Sequence, residues 1–246
     1  MQLPELLLQK SQWLRNQLFP PACLFCLQPL RLNGCCESCL KQIYPFPSST
    51  CDGCGAVLPQ ALAPGPCGQC LKVPAVQKKT VSLYLYQDVV RDAVLAWKLR
   101  GQESGVRWLL QAAQTRMKQI VSSKDLVLPV PMPLSRMRLR GRHHGADLAR
   151  MMAESVGCAW DWRLLRRIGE QARQSNLTGA DRRKNLRKAF MVDMACWQAC
   201  EPVQGRLWLV DDVITTGSTV HFAAKALRAT GMDVHVLSLT RTVKGV

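Results

Sequence analysis

A chain of 246 residues, 48% of them apolar and with a formal net charge of +16, is long enough for one full α/β domain and a small accessory module. No run of about 18 apolar residues occurs, and the opening MQLPELLLQKSQWLRNQLFPPAC lacks a basic start, an apolar core and a small-residue cleavage site. A membrane span and an export leader are therefore not expected, and the expectation is a cytoplasmic protein.

In chain order, Leu3, Leu7, Leu14 and Leu18 share helical spacing and predict a packing helix. Residues 19–76 are rich in Pro, Gly and Cys with little periodicity, so something other than an apolar core must hold them. From Thr80 the texture changes. TVSLYLY alternates as a strand, DVVRDAVLAWKLR reads as a helix stopped by Gly101, and a second helix is expected over 105–121. DLVLPV reads as a short strand, ADLARMMAESVG as a helix ending at Gly157, RLLRR as a short strand and 173–188 as a polar arm. RLWLVDD is a buried type of strand, STVHFAAKALRATG a helix closed by Gly231, and MDVHVLSLTRT a final strand. This β-loop-α-β ending builds parallel, doubly wound α/β sheets with helices on both faces, whose sites lie at strand carboxyl ends. The expected domains are 1–76 and 77–246.

Of twelve cysteines, nine lie between residues 23 and 70. In a reducing cytosol they indicate metal rather than disulfides. Cys23-x2-Cys26 and Cys36-x2-Cys39 are separated by nine residues, Cys51-x2-Cys54 and Cys67-x2-Cys70 by twelve. Two such knuckles can complete a closed four-thiolate zinc site, so two structural Zn²⁺ ions in a double zinc ribbon are expected, with sequential or interleaved pairing. A closed site has no position for an activated water, which excludes catalysis there. Cys35 is left as a free thiol, and Cys158, Cys196 and Cys200 are read as structural. The module suits docking of nucleic acid or protein, or simply capping of the larger domain.

Charge is unevenly placed: +2 over residues 1–76, +5 over 77–133, +9 over 134–188 and 0 over 189–246. Such an excess attracts polyanions, or serves as a solvated surface.

LWLVDDVITTGST, residues 207–219, sets a buried strand, paired acids, a small-residue turn and a helix start in sequence. Asp211 and Asp212 can accept hydrogen bonds from vicinal ribose hydroxyls. Thr215, Thr216, Gly217, Ser218 and Thr219 offer amides and hydroxyls to a phosphate at a helix N-terminus. An ordinary capped helix explains the threonines but not the acid pair.

This segment resembles the signature of the type I phosphoribosyltransferases. The cysteine knuckles, WKLRG, LPVPMPLSRMRLRGRHHGADLA and LLRR…QSNLTGADRRKNLRKAF extend the likeness, over nearly the whole chain, to the competence protein F (ComF/ComFC, GntX-like) family. The resemblance implies a phosphoribosyltransferase-like fold and a DNA-handling role in uptake or nutrient use. Lys98, Pro131 and Met132 would face pyrophosphate. Arg136, Arg138, Arg140 and Arg142 would form a basic ridge if their segment is extended. Where the family has Arg-Gly-aromatic-Asn-Gln, this chain has Arg142, His143 and His144 after Arg140 and Gly141; that histidine pair is read as exposed and as neither ligand nor base. Gln174, Leu177, Arg182, Arg183 and Asn185 match the family's mobile hood, in which Arg182 or Arg183 could close on a diphosphate.

The function expected first is DNA handling, with single-stranded DNA and phosphoribosyl pyrophosphate with Mg²⁺, or a nucleotide, as ligands. A DNA-uptake helicase or membrane channel is the implied protein partner. The alternatives are an active phosphoribosyltransferase in nucleobase or nucleotide metabolism and a nucleotide-sensing regulator. For the enzyme no base-recognition segment is evident; Arg241 could face a base or pair with a carboxylate.

Overall fold

The computed structural model describes residues 20–59, 65–168, 189–200 and 203–243, without the side chain of Arg140. The expected helix over Leu3 to Leu18 and the arm carrying Gln174, Leu177, Arg182, Arg183 and Asn185 lie outside the described residues. Two compact units form, one from residues within 1–44 together with Gln87–Trp108, the other from Pro45–Tyr86 and Leu109–Val246. The two groups of cysteine knuckles therefore belong to different units, whereas a cut at residue 76 would leave them together.

In the first unit the short helix α1 (Glu37–Leu40) follows Cys36, whose sulfur accepts the Cys39 N–H. Helix α3 (Asp88–Arg100) buries Val90, Ala93, Val94 and Trp97, spaced for one face. It ends, as expected, at Gly101 in the left-handed conformation, whose N–H returns to the Trp97 and Ala96 carbonyls. Val89 packs on the first cysteine cluster, and Phe25 meets Trp108 edge to face with centroids 5.6 Å apart.

The second unit is built on a parallel sheet in the order β1-β7-β6-β2-β3. Its strands are β1 (Lys79–Leu85), β2 (Leu126–Pro129), β3 (Ala159–Trp160), β6 (Leu207–Ile214) and β7 (Val234–Arg241). Between β3 and β6, the strands β4 (Leu165–Arg167) and β5 (Phe190–Val192) form a separate antiparallel pair. The unit's α2 (Gly68–Lys72) follows Cys67. The helix expected over 105–121 is two, α4 (Ser104–Ala112) and α5 (Gln114–Ile120), interrupted at Ala113. Helix α7 (His144–Val156) connects β2 to β3 and α9 (Ser218–Leu227) connects β6 to β7; the short α6 (Leu134–Arg140) and α8 (Met194–Ala199) complete the described helices.

Strand side chains alternate between the two faces. Leu126, Leu128, Leu207, Leu209, Val234 and Val236 cluster with Val220, Ala223, Ala224 and Leu227 of α9. Val127, Trp208, Val210 and Leu237, buried as well, face the other side, and α7 packs across β2 and β6. The near-continuous apolar runs of β2 and β6 follow from this two-sided burial.

At the start of β2 and β6 a buried carboxylate fixes the register. Asp125 accepts from the Ser122 N–H at 2.9 Å, the Arg206 N–H at 2.8 Å, Arg206 Nη2 at 2.9 Å and the Trp208 indole at 2.8 Å. Burial pushes its pKa up, but these donors outweigh burial and hold it below the usual carboxylate value.

The segment carrying Arg136, Arg138 and Arg140 is helix α6, not extended. At helical pitch Arg136 and Arg138 lie about 200° apart, so the one-sided ridge expected of an extended segment does not form. Arg142 pairs with Asp147 at 3.1 Å. His143 and His144 are not an exposed pair: His144 is buried, and His143 caps α7, its Nδ1 accepting the Ala146 N–H at 2.9 Å. Burial lowers the His143 pKa, consistent with a neutral ring that accepts.

Candidate phosphoribosyl crevice and cysteine clusters

The sheet has its topological reversal between β2 and β6. From β2 the chain passes through α7 to β3 on one side, and from β6 through α9 to β7 on the other. Ligands of such sheets lie beyond the strand carboxyl ends at that reversal. Here β2 stops pairing at Pro129, opposite Val210, while β6 continues against β7 as far as Ile214. Among the described residues, Asp211 and Asp212 therefore occupy a stretch of strand paired on one edge alone; Pro131 and Met132, which follow β2, do not line the crevice at the end of β6.

A shallow crevice opens at the end of β6, lined by Asp211, Val213, Ile214 and the loop from Thr215 to Val220. Because successive strand residues point to opposite faces, Asp211 lines this crevice while Asp212 starts toward the other face. The Asp212 N–H donates to Asp211 Oδ1 at 3.0 Å, and its carbonyl accepts the Thr240 hydroxyl at 2.8 Å. The acid pair is thus held by its own backbone and by β7.

Gly217, at φ 76°, turns the chain from the loop into α9, a conformation costly for residues with a Cβ. The N-cap, Gly217, has no side chain with which to cap the helix. Thr216 and Ser218 hydroxyls lie 3.1 Å apart, and Thr216 Oγ1 accepts the Ser218 N–H at a long 3.4 Å. The first intrahelical bond is His221 N–H to the Gly217 carbonyl. A ten-residue helix thus presents its first-turn amides and two hydroxyls to the crevice, an arrangement suited to a phosphate.

Lys98 lies on α3, in the unit that does not contain this crevice. Among the basic residues of the sheet unit, Arg167 went unnoticed in the sequence. Its guanidinium sits 5.3 Å from the Phe190 ring centroid, and its buried Nε has no acceptor among the described residues. Burial, and then the neighbouring charge of Arg136, lower its pKa. RLLRR signalled a strand; nothing in it distinguished the arginine stacked on the partner strand's phenylalanine. Among the described residues Arg241 bonds a backbone carbonyl: its Nη1 donates to the Cys54 carbonyl at 2.6 Å.

The cysteines assemble sequentially, Cys23, Cys26, Cys36 and Cys39 in one cluster and Cys51, Cys54, Cys67 and Cys70 in the other, each with all sulfurs within 4.8 Å of one another. The Cys26–Cys36 and Cys54–Cys67 sulfur separations of 3.7 and 3.6 Å match the roughly 3.8 Å edge of a tetrahedron with ~2.3 Å metal–sulfur bonds. They are far longer than a disulfide. In both clusters the first sulfur accepts an N–H from the first residue of the second knuckle, Cys36 to Cys23 and Cys67 to Cys51. A hydrogen bond from Ser38, then one from the Cys39 N–H, lower the Cys36 pKa to about 6, while burial raises that of Cys39. Both donor sets fit a metal ion. Cys35 stands outside, its thiol bonded to the Cys36 carbonyl and pushed up to about 11 by burial.

No family model matches the chain. It is similar to the DNA utilization protein YhgH of Salmonella typhimurium, at 33% identity over 91% of this chain and 98% of that protein. It is similar also to competence protein F of Haemophilus influenzae, at 31% identity over 89% and 96%. The competence protein ComFC of Bacillus subtilis is 26% identical over 88% and 86%. Among solved structures, an adenine phosphoribosyltransferase from Leishmania tarentolae matches at 12% identity, covering 54% of this chain and 70% of that one with a TM-score of 0.31. On the identity and coverage of these relatives, the chain belongs to the competence protein F family.

Proposed function

We propose that the protein handles DNA, holding single-stranded DNA by its phosphates while the crevice at the end of β6 binds phosphoribosyl pyrophosphate with Mg²⁺, or a nucleotide. The observation that carries the ligand half is the joining of Asp211, in one crevice at the end of β6, to a helix start whose N-cap is a glycine. In this reading Asp211 and Asp212 accept the ribose hydroxyls, the Thr215–Thr219 loop takes the 5′-phosphate, and Pro131 and Met132 border the diphosphate. Mg²⁺ arrives with the diphosphate and neutralises part of its charge. Arg182 and Arg183 belong to the arm that would close over it.

The DNA half rests on the printed names of the relatives, DNA utilization and competence proteins, and on the basic excess of residues 134–188. Arg136, Arg140, Arg142 and Lys98 are the candidate phosphate contacts from the sequence, and Arg167 joins them. Zinc is the metal that four thiolates at tetrahedral spacing favour. Each closed centre then supplies folding energy rather than chemistry. The setting for this work is the cytoplasm; among the described residues no helix is long and apolar enough to cross a membrane.

Binding is favoured over transfer because Arg241, the one terminal-strand candidate for reading a base, is engaged by the Cys54 carbonyl. The test incubates the metal-loaded protein with phosphoribosyl pyrophosphate, Mg²⁺ and each common nucleobase. The expected result is ligand-dependent thermal stabilisation with no pyrophosphate release. Pyrophosphate release with any base restores the transferase.

A further inference from the structure

The second cysteine cluster is bonded into the sheet at two separate places. At one, the Thr80 hydroxyl donates to the Gly53 carbonyl at 2.7 Å, Gln77 Nε2 donates to the same carbonyl at 3.1 Å, and the Thr80 N–H reaches the Asp52 carbonyl at 2.9 Å. At the other, Arg241 reaches the Cys54 carbonyl. The close approach depends on Gly55, at φ 68°: a Cβ there would stand 2.9 Å from Thr80 Cγ2 and 3.0 Å from Arg241 Nη1.

Arg241 is also the last residue of β7. It pairs with Ile214, the last residue of β6, and the next residue closes the ladder, Thr242 N–H to the Ile214 carbonyl at 3.0 Å. Thr215 begins the crevice loop immediately afterwards. One side chain thus joins the cysteine knuckle to the rung from which the loop departs.

From this connection we infer that Arg241 is a positioning residue, through which the metal-bound second cluster fixes the geometry of the Thr215–Thr219 loop. Arg241 is only 9% exposed, and a buried guanidinium needs hydrogen bonds and counter-charge. A divalent ion held by four thiolates leaves a net charge of about 2−, and Arg241 is the cation bonded to that knuckle. When the metal leaves and the four thiolates take up protons from water, the counter-charge goes and the knuckle loosens. The end of β7 then has no anchor on that side, and the loop's rung frays. The metal would thereby act on a crevice whose residues it never touches.

Hydrogen–deuterium exchange of the intact metal-loaded chain tests this without reference to any ligand. Arg241→Met, verified by native mass spectrometry to keep two metal ions, is expected to exchange about tenfold faster over residues 214–219 and at Thr242, the effect of one lost charge-assisted bond. Residues 207–210 should be unchanged, which a general loss of stability would not leave so. Arg241→Lys should lie between. If Arg241→Met does not fold, Gly55→Ala pushes the same contact apart and should show the same local acceleration. Chelator removal of the metal should reproduce it in the unsubstituted chain. Unchanged exchange at 214–219 in metal-replete Arg241→Met, or in Gly55→Ala where that variant replaces it, overturns the inference.

The consequence for ligand rests on the reading proposed above and is separable from it. Calorimetry with phosphoribosyl pyrophosphate and Mg²⁺ should show binding at least about fivefold weaker in Arg241→Met, in proportion to the loop's added freedom. If the unsubstituted protein binds no such ligand while exchange responds as expected, the ligand reading falls and Arg241's role stands. If it binds and exchange does not respond, Arg241's role falls alone.

Discussion

Val210 pairs with Pro129 at the last rung between β6 and β2, and beyond it, among the described residues, β6 keeps a partner only on its β7 side. Asp211 and Asp212 follow at once, so the sheet opens where its carboxylates begin. Both are partly exposed. Asp211→Ala/Asp212→Ala should therefore still fold, yet bind phosphoribosyl pyrophosphate at least about a hundredfold more weakly, as two charge-assisted contacts are lost. Of the single variants, Asp211→Ala should lose more, since Asp211 lines the crevice. Titration calorimetry on the three variants measures this; equal and small losses would remove the crevice from the binding site.

Gly217 allows the opposite separation, a backbone effect with little steric component. A Cβ there would meet only Val220 Cγ2, at 3.9 Å, so Gly217→Ala introduces no clash and its penalty comes from φ 76°. The expected destabilisation is about 1–2 kcal/mol, visible as a lowered denaturant midpoint. Ligand binding should fall further than stability does, because relief of the strain re-aims the Ser218 and Thr219 amides. A Gly217→Ala chain with unchanged affinity would show that those amides are not the phosphate contacts.

The sequence carried the sheet well where burial is two-sided, as at Leu207–Val210, and where helices end in left-handed glycines such as Gly101 and Gly157. Paired knuckle spacing likewise disclosed both cysteine clusters. It did not disclose that Cys51–Cys70 is bonded to the sheet, since Thr80, Gln77 and Arg241 carry no spacing signal and meet the knuckle only through folding. The arginines after Pro133 alternate as a strand would, but the segment folds as a helix that ends at Gly141 in the left-handed conformation. His143 escaped notice as a cap because histidine is an uncommon N-cap. The acid pair was legible as chemistry, whereas its division between two faces follows from β6 continuing to Ile214.

Asp125 gives the fold a specific acid weakness. Its folded pKa lies below the unfolded value, so its contribution is complete above the unfolded carboxylate pKa of about 3.9 and is lost as pH falls through the folded value. Removal of the buried carboxylate in Asp125→Ala leaves the Trp208 indole and the Arg206 amide without their acceptor, at a cost of about 3 kcal/mol at neutral pH. Asp125→Asn keeps an acceptor and should cost less. Denaturation from pH 7 down to pH 2 should show the gap between Asp125→Asn and the unsubstituted chain narrowing below about pH 4. A gap independent of pH would mean that the carboxylate's charge does not stabilise β2 against β6.

DNA binding, if it runs through phosphates, must weaken with salt in a countable way. Each phosphate neutralised on a single strand contributes a slope of about −0.7 in the logarithm of affinity against that of salt concentration. Arg136 and Arg167 influence each other electrostatically, and no acidic partner meets either among the described residues, so a phosphate between them relieves like-charge repulsion as well as gaining attraction. Arg163 and Arg166 are already paired, with Asp161 and Asp193, and have less to gain. Arg136→Gln should therefore weaken binding to a mixed-sequence oligonucleotide and flatten its slope by about 0.7, uniformly across sequences. Arg163→Gln should alter neither by much. Fluorescence anisotropy from about 50 to 200 mM salt decides it: a slope unaffected by Arg136→Gln places the strand elsewhere on the protein.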